Sequence, residues 1–228
     1  MEGIIFWLLL FTFLLIRSSK REYDGSDYKQ TSQSSYFKVY FNKGSLGEYR
    51  LYRELMKLDA EAKVLPNVYV PRKDGTTSEI DVLYIANTGL YVFESKNYGG
   101  WIYGTEKRRY WTQTFPNGTK HSFFNPIFQN NGHISALKAY LNLADMYFHS
   151  VIVFGENATI KSDVLKEASV PILKRHQVRK RLEQDMASLP VLLTAEDISA
   201  LYEVLKPLAQ VTGDIKAKHI ETVKQKLR

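Results

Sequence analysis

The sequence predicts an α/β or α+β fold with a mixed sheet, preceded by one apolar helix of membrane-spanning length. Three observations point there. Residues 3–16 run without a charge. Leu51, Tyr52, Leu55 and Leu58 then recur at helical spacing. After them, two strand-like runs, SEIDVLYIA (78–86) and LYVFESKN (90–97), flank an Asn-Thr-Gly turn. A pattern that alternates helix, strand group, helix and strand builds layers in which helices cover a sheet.

The opening run is apolar on every side, so it is no surface helix of a soluble domain. Extended to residue 19 it reaches 17 residues, the short end of the roughly 17–25 that a crossing takes. A cleaved signal peptide would carry a basic start and a small-x-small cleavage site. Here Met1-Glu2 precede the run, and Arg17-Ser18-Ser19-Lys20-Arg21 follow it. The expectation is a single-pass anchor in the cell membrane, residues 1–19, with the flanking cations holding the rest in the cytoplasm. Residues 20–36 are polar and rich in Ser, Gln, Asp and Lys, and read as a flexible linker.

Residues 43–62 read as a helix that carries Glu48 on its apolar face, where a carboxylate is costly unless something pairs with it. A strand, 64–70, ends at Pro71, and Lys73-Asp74-Gly75 marks a turn into the hairpin. Short strands follow over 101–113, with a tight turn at Asn117-Gly118. Residues 125–143 form a helix with Pro126 in its first turn, and 150–154 a buried strand. Further strands are expected at 170–173 and 191–193, and helices at 196–205 and 214–227.

Composition narrows the chemistry. With 44% hydrophobic and 13% aromatic residues the chain supports a core rather than disorder. A net charge of +7 favours a polyanionic partner, either nucleic acid or an anionic membrane face. The absence of cysteine excludes disulfides, zinc-thiolate sites and cysteine nucleophiles, and the five histidines show no HExxH spacing.

The hairpin holds the constellation that carries chemistry. Residues two apart in a strand share a face, so Glu94 and Lys96 point the same way. An even loop pairs residue i with 177−i, which sets Asp81 opposite Lys96 and Leu83 opposite Glu94. Ile80, Val82, Tyr84 and Phe93 then line one face, and Leu83, Ile85 and Val92 the other. A pair apolar on both sides is central and doubly covered, so three charges at its end are not a solvated surface. Two carboxylates and a lysine suit a hard cation such as Mg²⁺, with Glu48 as a further carboxylate. The plain alternative is a cross-strand ion pair, since an E-x-K tripeptide arises often by chance. Glu79 shares the parity of Asp81 and competes for its place.

The separated motifs Gly47-Glu48, Leu65-Pro66-Asn67-Val68, Thr77-Ser78-Glu79-Ile80-Asp81, Glu94-Ser95-Lys96-Asn97-Tyr98-Gly99-Gly100, Trp111 and Asn125-Pro126-Ile127-Phe128-Gln129-Asn130 resemble the NERD (nuclease-related domain) family over residues 37–156. The resemblance implies a restriction-endonuclease-like core of the PD-(D/E)xK type with helices on both faces, and phosphodiester hydrolysis that needs Mg²⁺ or Mn²⁺. It makes Asp81, Glu94 and Lys96 the D…ExK core, with Glu48 as the helix carboxylate and Gln129 as a polar contact to substrate or a metal-bound water. Nucleic acid, DNA first, is the implied substrate, and a homodimer is in keeping with the many enzymes of this fold that cut duplexes as dimers. Residues 157–228 remain as a C-terminal extension with helices.

Other residues carry weaker signals. Lys107, Arg108 and Arg109 suit phosphate contact or a solvated loop equally. Trp101, Tyr103, Tyr110 and Trp111 suit base stacking, although core or cross-strand pairing is the commoner fate of such residues. Lys174-Arg175 and Arg179-Lys180-Arg181 form the densest basic patch, and His133 lies one turn after Gln129, where a lone histidine is usually structural. The competing function is a non-catalytic module that binds nucleic acid or a protein through the same cleft.

Overall fold

The computed structural model describes residues 2–58, 61–161, 164 and 168–226. Its strands are β1 (Lys63–Pro71), β2 (Thr77–Ala86), β3 (Gly89–Lys96), β4 (Gly100–Tyr103), β5 (Tyr110–Thr114), β6 (Lys120–Phe124), β7 (Phe148–Phe154), β8 (Ala158–Ile160) and β9 (Ile172–Lys174). Its helices are α1 (Glu2–Asp24), α2 (Asp27–Ser32), α3 (Tyr36–Phe41), α4 (Lys43–Leu55), α5 (Pro126–Leu141), α6 (Val178–Ser188), α7 (Ala195–Ala209) and α8 (Gly213–Lys226).

A mixed sheet in the order β1-β2-β3-β7-β9 forms the centre. Its first three strands are antiparallel, while β7 and β9 add in parallel. α5 and α7 cover one face through Leu137, Ile198 and Leu205, which pack on Leu65, Leu83 and Val92. α4 and α6 cover the other through Leu51, Leu55, Val178 and Leu182, packed on Val82, Tyr84 and Phe93. Double coverage explains why β2 and β3 read as near-continuous apolar runs. A second sheet, β6-β5-β4-β8, turns Ile102 and Trp111 inward onto Ile127 and Phe154. Trp111 stacks on Phe154 at 6.4 Å and donates to the Thr105 carbonyl at 2.9 Å.

The hairpin register differs from expectation by two residues. Pairs run from Val82↔Phe93 to Ala86↔Gly89, so the turn is Asn87-Thr88 and partners sum to 175 rather than 177. The offset is even and leaves Glu94 and Lys96 on the α5 side with Val92. By count it sets Asp81 across from Glu94 instead of Lys96. The ladder ends at Val82↔Phe93, and the next N–H, that of Ser95, donates to Asp81 Oδ2 at 2.7 Å. A second departure lies in the alternation itself. Ile80 shares a core with Leu83, and Val68 with Leu65, each pair three residues apart. Both strands slip phase at Asn67 and Asp81, which drop out of the β1–β2 pairing while Asn67 adopts φ 52°. Ile80 therefore faces α5, not the side of Val82.

Residues 20–36 are not a flexible linker. α1 continues to Asp24, and Ser26 and Ser35 cap α2 and α3. Tyr23, Tyr28, Tyr36, Val39, Tyr49 and Tyr52 are buried together against α4, and Tyr23 donates its hydroxyl proton to the Ser34 carbonyl at 2.7 Å. Gly3–Asp24 is long and apolar enough to cross a membrane, a length and composition that signal sequences share.

Residues 157–228 are more than an appendage: β8 and β9 complete the two sheets, and α6 and α7 complete both cores. α8 docks back, with His219 Nδ1 at 2.9 Å from Thr77 Oγ1 and Lys216 Nζ donating to the Ser32 carbonyl at 2.7 Å. Residues 191–193 form no strand, because Leu192 and Leu193 both give their N–H to the Asn87 carbonyl and so strap the β2–β3 turn.

Candidate active site

β2, β3, α4 and α5 bring Asp81, Glu94, Lys96, Glu48 and Gln129 to one place. Each of the three carboxylates has one oxygen fixed by a donor. Asn67 Nδ2 donates to Glu48 Oε2 at 2.8 Å, the Ser95 N–H to Asp81 Oδ2 at 2.7 Å, and His133 Nε2 lies 3.0 Å from Glu94 Oε2. The left-handed turn at Asn67 thus supplies a clamp for Glu48. The second oxygens of Glu48 and Asp81, Oε1 and Oδ1, have no hydrogen-bond donor among the described residues. Lys96 Nζ lies 2.6 Å from Glu94 Oε1, so this buried oxygen is held in an ion pair with the ammonium. The same Nζ donates to Gln129 Oε1 at 3.0 Å.

Behind Glu94 runs a directed chain. Arg72 Nη2 donates to Ser78 Oγ at 2.9 Å, which leaves the hydroxyl proton for His133 Nδ1 at 2.7 Å. The opposite ring nitrogen of His133, Nε2, faces Glu94 Oε2, so the imidazole bridges Ser78 and Glu94. As a lone helix histidine His133 reads as structural in sequence, and its partners Ser78 and Glu94 are remote from it along the chain. Asn130 anchors the same helix, donating to the Val92 carbonyl and to Ser150 Oγ, both at 2.8 Å.

Close approach of backbones positions the elements. A side chain at Gly47 would place its Cβ 2.6 Å from the Asn97 Cβ, so only glycine lets α4 sit this close to the end of β3. Asn97 Nδ2 in turn donates to the Lys43 carbonyl at 2.8 Å, which pins the start of that helix.

The electrostatics separate the carboxylates. Burial pushes Glu48 up to about 7, with Asn67 opposing and the Glu79 and Glu94 charges adding. Burial and the charges of Glu94 and Glu48 raise Asp81 well above the carboxylate range. Glu94 is also penalised by burial, but Lys96 and His133 outweigh it and hold Glu94 low. Lys96 resists burial because Glu94 and Asp81 raise it, so it stays an ammonium. Glu94 and Lys96 thus form an ion pair beside two carboxyls that burial and neighbouring carboxylates hold toward the neutral form.

Other residues fall elsewhere. Glu79 is engaged by the Tyr69 hydroxyl. Lys107, Arg108 and Arg109 are exposed on the β4–β5 connection and form no ion pair among the described residues. The basic patch at 174–181 is largely occupied: Lys174 donates to the Glu156 carbonyl at 2.8 Å, Arg175 meets Glu156 at 3.6 Å, and Arg181 meets Asp185 at 2.7 Å. Trp111 is core, whereas Trp101, Tyr103 and Tyr110 are exposed.

Residues 43–155 match the family described as the nuclease-related domain, NERD. A Bacillus anthracis protein described as uncharacterized is 34% identical over 185 residues, covering 81% of this chain and 85% of its own. The chain belongs to the NERD family. No solved structure matches it. Every residue of the cluster, from Glu48 to His133, lies inside the NERD segment. β8, β9 and α6 to α8, which close the sheets and cores, lie beyond it.

Proposed function

We propose that this NERD protein is a divalent-metal-dependent nuclease that hydrolyses phosphodiester bonds, DNA first, on the cytoplasmic face of a membrane to which α1 anchors it. The observation that carries the reading is the convergence of three carboxylates, buried Glu94 and half-buried Glu48 and Asp81, each with one oxygen clamped by a donor, beside a lysine held charged. Among the described residues no group of three or more His, Asp or Glu is preformed as a metal cage. Mg²⁺ does not require one, since it takes one or two carboxylates and fills its octahedron with water and phosphate oxygens. The carboxylates of Asp81 and Glu94, with Glu48 directly or through a water, fit that demand. The chemistry supplied by a bound Mg²⁺ or Mn²⁺ is polarisation of the phosphate and acidification of a water.

The protein's own groups do the rest. Lys96 cannot accept a proton, so it serves as a donor. Gln129 and Glu94 take up two sides of its ammonium, and the third N–H is available to a phosphate oxygen as charge builds there. Gln129, its Oε1 occupied by Lys96, keeps its amide N–H groups for substrate. His133 is a positioning residue: it fixes the rotamer of Glu94 by holding Oε2, which sets Oε1 beside Lys96. What supports the uncleaved anchor is Tyr23, which the same helix carries into the tyrosine core.

The test of this reading is cleavage by the full chain in detergent. Labelled single-stranded DNA, duplex DNA and RNA are incubated with Mg²⁺, Mn²⁺ or EDTA. Cutting that requires metal supports the nuclease. Binding without cutting in any metal moves the protein to a nucleic-acid-binding module.

Two further outcomes are expected. His133→Ala weakens Mn²⁺ binding by about 10–100-fold, as loss of an outer-shell partner does, and His133→Gln, which restores an N–H donor, recovers most of it. In EDTA, Glu48 and Asp81 hold more protons folded than unfolded, so stability falls as pH rises through the Glu48 value of about 7. Thermal melts therefore give a lower Tm at pH 8 than at pH 6, and Glu48→Gln flattens the difference. Saturating Mn²⁺ reverses the trend, because ionised carboxylates bind it better.

A further inference from the structure

The second sheet keeps an aromatic face that its core does not use. On β4, Trp101 and Tyr103 point away from buried Ile102 and are 37% and 41% exposed. On β5, Tyr110 is 47% exposed beside buried Trp111. Lys161 Nζ sits 5.2 Å from the Trp101 ring and 5.7 Å from Tyr103, and the Arg109 guanidinium lies 5.7 Å from Tyr110. β4, β5, β6 and β8 contain no acidic residue. The face reaches the cluster: Tyr110 meets Phe124 at 6.0 Å, Phe124 meets Phe128 at 6.4 Å, and Phe128, 38% exposed, precedes Gln129.

We infer that this face is a base-stacking platform for single-stranded nucleic acid, which Trp101 and Tyr103 hold by stacking while Lys161 and Arg109 neutralise its phosphates. The inference rests on the nuclease reading and names its substrate class. A duplex hides the faces of its bases and offers a protein mainly phosphates, which lysines and arginines satisfy without aromatic rings. Exposed rings with cations beside them, on strands that contain no carboxylate, fit unpaired bases and their backbone. Single-stranded DNA and RNA share this chemistry. An acidic protein segment would find the cations but leave the ring faces unused.

The test uses the full chain in detergent with EDTA, so that nothing is cut. Anisotropy is read on labelled single-stranded DNA, single-stranded RNA and a hairpin duplex, at equal salt. Wild type binds a single strand more tightly than the duplex. Trp101→Ala with Tyr103→Ala weakens single-strand binding roughly tenfold or more and leaves duplex binding unchanged. Trp101→Phe with Tyr103→Phe keeps the wild-type preference, which separates lost stacking from lost folding. Equal wild-type affinity for both forms, or an alanine variant that binds single strands as wild type does, overturns the platform. Glu94→Gln distinguishes the two readings: it abolishes cleavage but keeps the single-strand preference, whereas the alanine pair loses the preference.

Discussion

Glu94→Gln lowers cleavage by about 10²–10³-fold or more and leaves nucleic-acid binding intact, and Asp81→Asn does the same. Both changes keep shape and remove a charge. The result follows from where the charges sit. Glu94 is 1% exposed and held anionic by Lys96 and His133, so its charge is available to a cation without solvent competition. Asp81 is the opposite case: burial and its neighbours raise it, and an arriving cation gains by displacing its proton. Lys96→Met alone is a poor probe, because an unpartnered buried Glu94 destabilises the fold by roughly 3–5 kcal/mol. The pair Glu94→Gln with Lys96→Met removes both charges together, which is close to neutral for a buried ion pair. Circular dichroism melts near wild type with no turnover assign the loss to chemistry. A double variant that still cuts places catalysis elsewhere.

A chain that begins at Phe37 does not fold, whereas one that begins at Ser18 melts as the full chain does. Such a truncation at Phe37 deletes Tyr23, Tyr28 and Tyr36, which are 0%, 1% and 5% exposed, and uncovers Tyr49 and Tyr52. Loss of one large buried aromatic costs about 3–5 kcal/mol, so three approach the roughly 5–15 kcal/mol that holds a domain together. Residues 4–16, by contrast, are almost wholly exposed and have no hydrogen bond, ion pair or ring contact to the domain among the described residues, so their removal leaves it unchanged. Calorimetry on the two truncations decides the matter. Equal Tm values would mean that the tyrosine cluster is decoration.

The hairpin was legible because an apolar alternation interrupted by Asp81, Glu94 and Lys96 has few innocent explanations, and because Gly47-Glu48 and Glu94 to Gly100 recur as a pattern. Its register was not, since Asn87-Thr88 and Thr88-Gly89 are equally good turns on paper. The slip at Asn67 and Asp81 had no local signature: asparagine in the left-handed region looks like any other strand asparagine. The segment 20–36 was misread for a physical reason. Its core residues are tyrosines, whose hydroxyls count as polar, set among serines that turn out to be helix caps. β8 and α6 were lost because a three-residue strand and a basic helix with two buried apolar positions, Val178 and Leu182, give almost no period to read.

The most direct test of the central claim is anomalous diffraction from crystals of the full chain grown with Mn²⁺. The account predicts a peak between Asp81, Glu94 and Glu48 in wild type, absent from Asp81→Asn. A wild-type crystal with no peak there, at a Mn²⁺ concentration that supports cleavage, would contradict it.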